Sequence, residues 1–279
     1  MPRPLVMLLL AFAAASSVEA ADVNGIPIHY STHGSGPATL VFVHGWTCDE
    51  TSWATQIEPF SDRYRVVTVD LPGHGKSGMP AADAFSLDLF ADAVEAVRAE
   101  IGAESIVLIG HSMGAPVIRQ YARRYPQHVA ALVPVDGPIS VQAFVLPGSE
   151  SGGPPQFPDV SGPEGLDARE TAIRAMFTPD TSAEVEAHVL RMMLAAPEAT
   201  AVGALRAMGD EAVWADATIP MPVYAIYAGT AQMPDVAVVR QNVPEFEVVQ
   251  LEGTGHFLMM EKPAEFNALL EGFLDRLGF

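Results

Sequence analysis

Short apolar runs alternate with stretches of helical periodicity over the first half of the chain. "IPIHYSTHG" and "TLVFVHG" read as strands around a Gly34-Ser35-Gly36-Pro37 turn, and "YRVVTVD" reads as a buried strand that opens onto the glycine-rich "LPGHGKSG". Leu87, Phe90, Val94 and Val97 recur at helical spacing in "SLDLFADAVEAVRAEIG", a helix that stops at Gly102. The strand "SIVLIG", the helix "APVIRQYARRY" closed by Pro126 and the strand "VAALVPV" complete the series. This rhythm predicts an α/β fold with a mostly parallel sheet and helices on both faces.

The rhythm breaks after Asp136. Residues 147–165 are rich in proline and glycine and lack periodicity, so they read as a connector. Helical patterns follow at about 166–177, 182–195 and 198–209. Alternation resumes with "MPVYAIYAG", "DVAVVRQNV" and "FEVVQLEG", then a closing helix from about residue 263. The chain therefore divides into a leader (1–20), the first part of a core (21–136), a helical insertion (137–217) and the second part of the core (218–279).

The leader reading rests on one early arginine, an apolar run from Leu5 to Ala15, and small residues ending Val18-Glu19-Ala20. That pattern predicts a secretory signal cut before Ala21, with export to a periplasm or to the medium. The apolar run is shorter than the roughly 20 residues of a membrane span, so no span is expected after cleavage.

A net charge of −19 disfavours nucleic acid as a partner. The single cysteine, Cys48, reads as a small buried hydrophobe. The eight histidines show no metal-binding spacing, and no metal or cofactor is expected.

The candidate chemistry sits at "IGHSMGAP". Gly110-x-Ser112-x-Gly114 falls at a strand-to-helix junction, where a sharp turn strains the serine backbone and lifts its hydroxyl above the sheet. Glycines two residues to either side remove β-carbons that would clash. The helix behind the serine favours developing negative charge. A serine hydroxyl needs a base, and His256, in a glycine-flanked turn after a strand, is the best placed of the eight histidines. His111 adjoins the serine, but neighbours on an elbow point apart.

Ser112 in its elbow, His256 near the end, "HGW" after an early strand and "DLPGHGKS" after the next resemble the α/β-hydrolase superfamily. The likeness is closest to its serine-nucleophile, esterase-like branch with a helical cap, and it covers the chain from about residue 23 to 279. It implies an eight-stranded sheet, a cap inserted after the sixth strand, and a site at the carboxyl ends of the strands. It also implies an oxyanion hole made by the backbone N–H groups of Trp46 and Met113, with His44 holding the loop.

The acid departs from the family pattern. The family places it three residues past a glycine after the seventh strand, and here Gly229 leads to Gln232, which carries no charge. Asp136, at the end of the sixth strand, and Asp235 are the two substitutes. Each has a structural alternative: Asp136 as a turn brace and Asp235 as a helix N-cap. Asp136 is favoured because a strand end holds an imidazole more firmly than a proline-containing loop. Asp70 is assigned a structural role.

Met176, Phe177, Met192 and Met193 fall on helices of the insertion and suggest a lid over an apolar substrate pocket. The expected function is hydrolysis of carboxylic esters or lactones of small to medium apolar molecules through an acyl-enzyme. A serine aminopeptidase, a carbon–carbon bond hydrolase and a perhydrolase share these residues, and a non-catalytic small-ligand receptor is the rival from another class.

Overall fold

A computed structural model describes residues 17–140, 157–215 and 217–278. The first sixteen residues of the expected leader, and residues 147–156 of the expected connector, lie outside the described residues.

The strands are β1 (Ser17–Val23), β2 (Ile26–His33), β3 (Thr39–Val43), β4 (Arg65–Val69), β5 (Ile106–His111), β6 (Val129–Val135), β7 (Val223–Ala228) and β8 (Phe246–Leu251). They form one sheet in the order β1-β2-β4-β3-β5-β6-β7-β8. The pairs β1–β2 and β2–β4 are antiparallel, and the rest of the sheet is parallel. β3, β5 and β7 are buried at every position, as strands covered on both faces must be. Each fully buried Val, Ile, Leu or Phe contributes about 1.5–3 kcal/mol to this core.

Strand order reverses between β3 and β5, because the chain steps from β3 outward to β4 and then back across to β5. Such a switch point opens a crevice at the carboxyl ends of the strands. The segments leaving β3 and β5 at that point are "HGW" and the Ser112 elbow.

The helices are α1 (Ala54–Ser61), α2 (Leu87–Glu100), α3 (Gly114–Arg124), α4 (Gly165–Arg174), α5 (Ala183–Ala195), α6 (Glu198–Met208), α7 (Val236–Val239), α8 (Leu258–Glu261) and α9 (Pro263–Arg276). α4, α5 and α6 follow β6 and precede β7, where the helical insertion is read from the sequence. Among the described residues no helix is long and apolar enough to cross a membrane.

Two elements escape the periodicity reading for physical reasons. β1 lies partly inside the segment read as leader, and its three residues past the expected cut, Ala21–Val23, pair with Ile28–Ile26. α1 contains Pro59, which removes the donor to the Thr55 carbonyl. The Asn267 side chain from α9 donates to that carbonyl instead, at 3.1 Å. Gln56 also ties α1 to the C-terminal segment, donating to the Met259 carbonyl and to Asn267 Oδ1, both at 3.0 Å.

A partly buried charge network joins the loops after β3 and β4. Glu50 receives Lys76 Nζ at 2.7 Å, His29 Nε2 at 2.9 Å and the Thr68 hydroxyl at 3.0 Å. Burial alone would raise the Glu50 carboxyl, but hydrogen bonds from Lys76, Ser31, His29 and Thr68 outweigh it and lower the group from 4.5 to about 2. The folded-state value lies below the unfolded one, so this stability is present above pH 4.5 and is lost as pH falls toward 2. Thermal melts of wild type and Glu50→Gln across that range are therefore expected to converge. A Tm gap that stays constant from pH 6 to pH 2 would contradict this.

Candidate active site

The elbow is built from the end of β5 and the start of α3. Ser112 has φ +52°, in the left-handed region that side chains avoid, which costs on the order of 1–3 kcal/mol. A β-carbon on Gly110 would strike the Gly114 carbonyl, and one on Gly114 would lie 2.5 Å from the Val43 carbonyl oxygen. Gly110 thus lets the helix fold back on its strand, while Gly114 lets it lean on β3. The Ser112 N–H donates to the Val135 carbonyl at 2.8 Å, extending the β5–β6 ladder into the serine. Ser112 is partly exposed beside buried His111 and Met113.

The next strand end carries the acid candidate. Asp136 also has a positive φ, +43°, and its N–H donates to the Ile226 carbonyl of β7 at 2.9 Å. Its side chain is gripped at both oxygens. Oδ1 accepts the Ala228 N–H at 2.9 Å, and Oδ2 accepts from His256 Nδ1 at 2.6 Å. Burial would raise this carboxyl, but the bond and charge of His256 and the Ala228 N–H lower it below the usual carboxylate range, so it stays ionised at neutral pH. Gly137 is pressed against the Ser112 carbonyl, which brings the acid's turn onto the elbow.

Asp235 stands elsewhere. It is exposed and caps α7, accepting N–H bonds from Ala237 at 2.9 Å and Val238 at 3.3 Å. Gln232 is also exposed.

The histidine loop is held on all sides. The His256 N–H donates to the Met176 carbonyl at 3.1 Å, and the His256 carbonyl accepts from His111 Nε2 at 2.9 Å. The flanking N–H groups of Gly255 and Phe257 both donate to the Glu261 carboxylate, at 2.8 and 3.3 Å. With Nδ1 given to Asp136, Nε2 is the ring nitrogen left for proton transfer. The sequence reading did not assign Glu261; a carboxylate five positions past a candidate base, across a single helical turn, is the signal for it.

The loop after β3 meets the elbow directly. A β-carbon on Gly45 would lie 3.2 Å from Ser112 Cβ, so a larger residue there would crowd the nucleophile. His44 donates from Nδ1 to the Gly45 carbonyl at 2.8 Å and accepts the Leu71 N–H at Nε2, at 3.0 Å. Burial lowers the His44 value and keeps the ring neutral. Trp46 is buried, and its indole Nε1 donates to the Ala201 carbonyl of α6 at 2.9 Å, so the side chain latches a helix of the insertion. Met113, the other expected oxyanion donor, stands at the N-cap of α3 and is also buried.

The four residues expected to line the pocket separate into two groups. Met176 and Phe177 lie past the end of α4 and not on a helix as expected, half-buried beside the histidine loop, the first through its carbonyl and the second with its ring 6.4 Å from that of Phe257. Met192 and Met193 are buried, and the Met192 sulfur accepts from the Ser52 hydroxyl at 3.4 Å.

Cys48 is buried and its thiol is raised to about 12 by burial and nearby Asp49, which leaves it inert as a nucleophile. His29, Glu50 and Asp70 place ligand-type atoms within 4.8 Å of one another. Lys76 Nζ already sits on Glu50, and Asp70 accepts the N–H groups of Glu50 and Lys76 at 2.7 and 2.8 Å. The group is a closed structural network, consistent with the role given to Asp70.

A family model described as the alpha/beta hydrolase family matches residues 40–269. The dihydrolipoyllysine-residue acetyltransferase component of the acetoin cleaving system of Cupriavidus necator is 29% identical over 272 residues, covering 94% of this chain and 70% of the relative. A 2-hydroxy-6-oxononadienedioate/2-hydroxy-6-oxononatrienedioate hydrolase of Paraburkholderia phymatum is 34% identical over 134 residues, 47% of this chain and 42% of the relative. Among solved structures, a putative aryl esterase from Burkholderia cenocepacia superposes with a TM-score of 0.78 at 24% identity, covering 94% of this chain and 99% of that one.

Proposed function

Since the chain belongs to the α/β-hydrolase family, we propose that it is a serine hydrolase cleaving carboxylic esters or lactones of small to medium apolar molecules. The observation that carries this reading is the 2.6 Å bond between Asp136 and His256 Nδ1, beside a strained serine on the adjoining strand end. A carboxylate on Nδ1 fixes the tautomer in which Nε2 can accept a proton.

Ser112 Oγ attacks the acyl carbonyl while His256 Nε2 takes the hydroxyl proton. The carbonyl oxygen becomes an oxyanion held by the N–H groups of Met113 and Trp46, each such donor being worth about 10²–10³ in rate. Collapse breaks the acyl–oxygen bond, and His256 returns the proton to the leaving alkoxide. Water then attacks the acyl-enzyme with His256 again as base, releasing the acid and restoring Ser112.

The net charge of −19 sets a field that repels anions, which favours neutral esters over a dioate such as the one in the Paraburkholderia relative's name. The half-buried Met176 and Phe177 beside the base supply apolar surface for the substrate. We further infer export, on the leader pattern at residues 1–20.

The test is a series of p-nitrophenyl esters from acetate to decanoate, a γ- and a δ-lactone, and a fluorophosphonate probe. Labelling together with turnover that is highest for acyl chains of about two to eight carbons is expected. Labelling without turnover of any ester or lactone would favour another acyl bond, and neither labelling nor turnover would favour a receptor.

A further inference from the structure

The imidazole next to the nucleophile has no part in the proton transfers above, yet it is fully buried where three loops of the site meet. His111 Nε2 lies 2.9 Å from the His256 carbonyl oxygen. A carbonyl only accepts, so Nε2 carries the hydrogen and Nδ1 the lone pair. Nδ1 is buried without a hydrogen-bond partner among the described residues, and a β-carbon on Gly45 would stand 3.1 Å from it. The ring centroid is 4.7 Å from that of His256, 5.1 Å from Phe257 and 6.3 Å from Trp53, which it meets edge-on.

We propose that His111 is a positioning residue. Its Nε2–H···O=C bond ties the base loop to the strand end that carries Ser112 and so sets the reach between nucleophile and base. This rests on the serine-hydrolase reading and assigns a residue that the reading leaves idle. Ser112 and His111 are consecutive, whereas His256 is 145 positions from His111. Among the described residues, the other bonds to the base loop come from the turns after β6 and β7, from Met176, from Glu261 and from Lys262. The bond from His111 is the one that starts on the nucleophile's own strand. Burial and the neighbouring His256 push His111 down to about 3, so it stays neutral while His256 cycles through its charged form and does not take the serine's proton.

A shift of about 1 Å in a reacting group costs on the order of 10²-fold in rate. His111→Phe keeps a flat ring among Trp53, Phe257 and Gly45 and removes only the donor. His111→Gln restores a donor at about the reach of Nε2.

Steady-state kinetics on the preferred ester, the fluorophosphonate labelling rate and Tm are measured for wild type, both variants and Ser112→Ala. His111→Phe is expected to lower kcat and labelling about 10- to 100-fold with KM within about twofold, and His111→Gln to recover most of the loss. Wild-type kcat in His111→Phe, alongside labelling that needs Ser112, would overturn this proposal alone. Equal losses in both variants, with KM and Tm moving together, would reduce His111 to packing and also overturn it. Labelling of wild type that does not need Ser112 would overturn the serine-hydrolase reading and this proposal with it.

Discussion

Ser112→Ala is expected to lower kcat on the preferred ester by about 10⁵–10⁶-fold while leaving Tm unchanged or higher, because the nucleophile and its base act as a unit. The rate argument is chemical. Without Oγ no acyl-enzyme forms, and only the backbone donors and substrate binding remain to assist direct attack by water. The stability argument is conformational. Ser112 is held at φ +52°, and alanine at that position is strained to a similar degree, so removing the hydroxyl costs little. Activity and stability should therefore separate cleanly. Stopped assays on purified variants, with melts in parallel, check both. A residual kcat within tenfold of wild type would remove Ser112 from the chemistry.

Asp136→Asn should lower kcat by about 10⁴-fold, by analogy with the same change in a known Ser-His-Asp site. The amide would present a donor or a weaker acceptor where His256 Nδ1–H now meets a carboxylate at 2.6 Å, and the ring would lose both its tautomer lock and its counter-charge. Asp235→Asn makes the contrast. Its carboxylate caps α7 from an exposed position, and asparagine caps nearly as well, so kcat should stay within about twofold. Measuring kcat for the two variants under the same conditions distinguishes the candidates. A larger loss at Asp235 would move the acid to the loop after β7.

Much of this is legible in the sequence. β3, β5 and β7 are fully buried and read as mainly apolar runs, and Ser112 stands out because glycines flank it at a strand–helix junction. For the acid the sequence favours Asp136 over Asp235 only on its place at a strand end, since Gln232 occupies the usual position and both aspartates have capping or turn roles. What separates them in space is the partner of Asp136 Oδ1, the Ala228 N–H, which lies 92 positions away. That contact depends on how β6 and β7 align, which no local pattern encodes.

α1 was hidden by Pro59, whose cost to the helix is offset by Asn267 from the other end of the chain. The supports of His256 were hidden in the same way. Met176 contributes a backbone carbonyl and His111 a long-range bond, and neither leaves a trace in residue spacing. Glu261 is the exception, because its two bonds are local.

The central claim is that the Ser112 hydroxyl is made nucleophilic by His256. The most direct measurement is tandem mass spectrometry of the peptide modified by a fluorophosphonate, comparing wild type with His256→Ala at matched times. A single adduct on Ser112, formed at least about 10³-fold more slowly without His256, is the expected result. An adduct on another residue, or equal labelling of Ser112 in the two proteins, would contradict it.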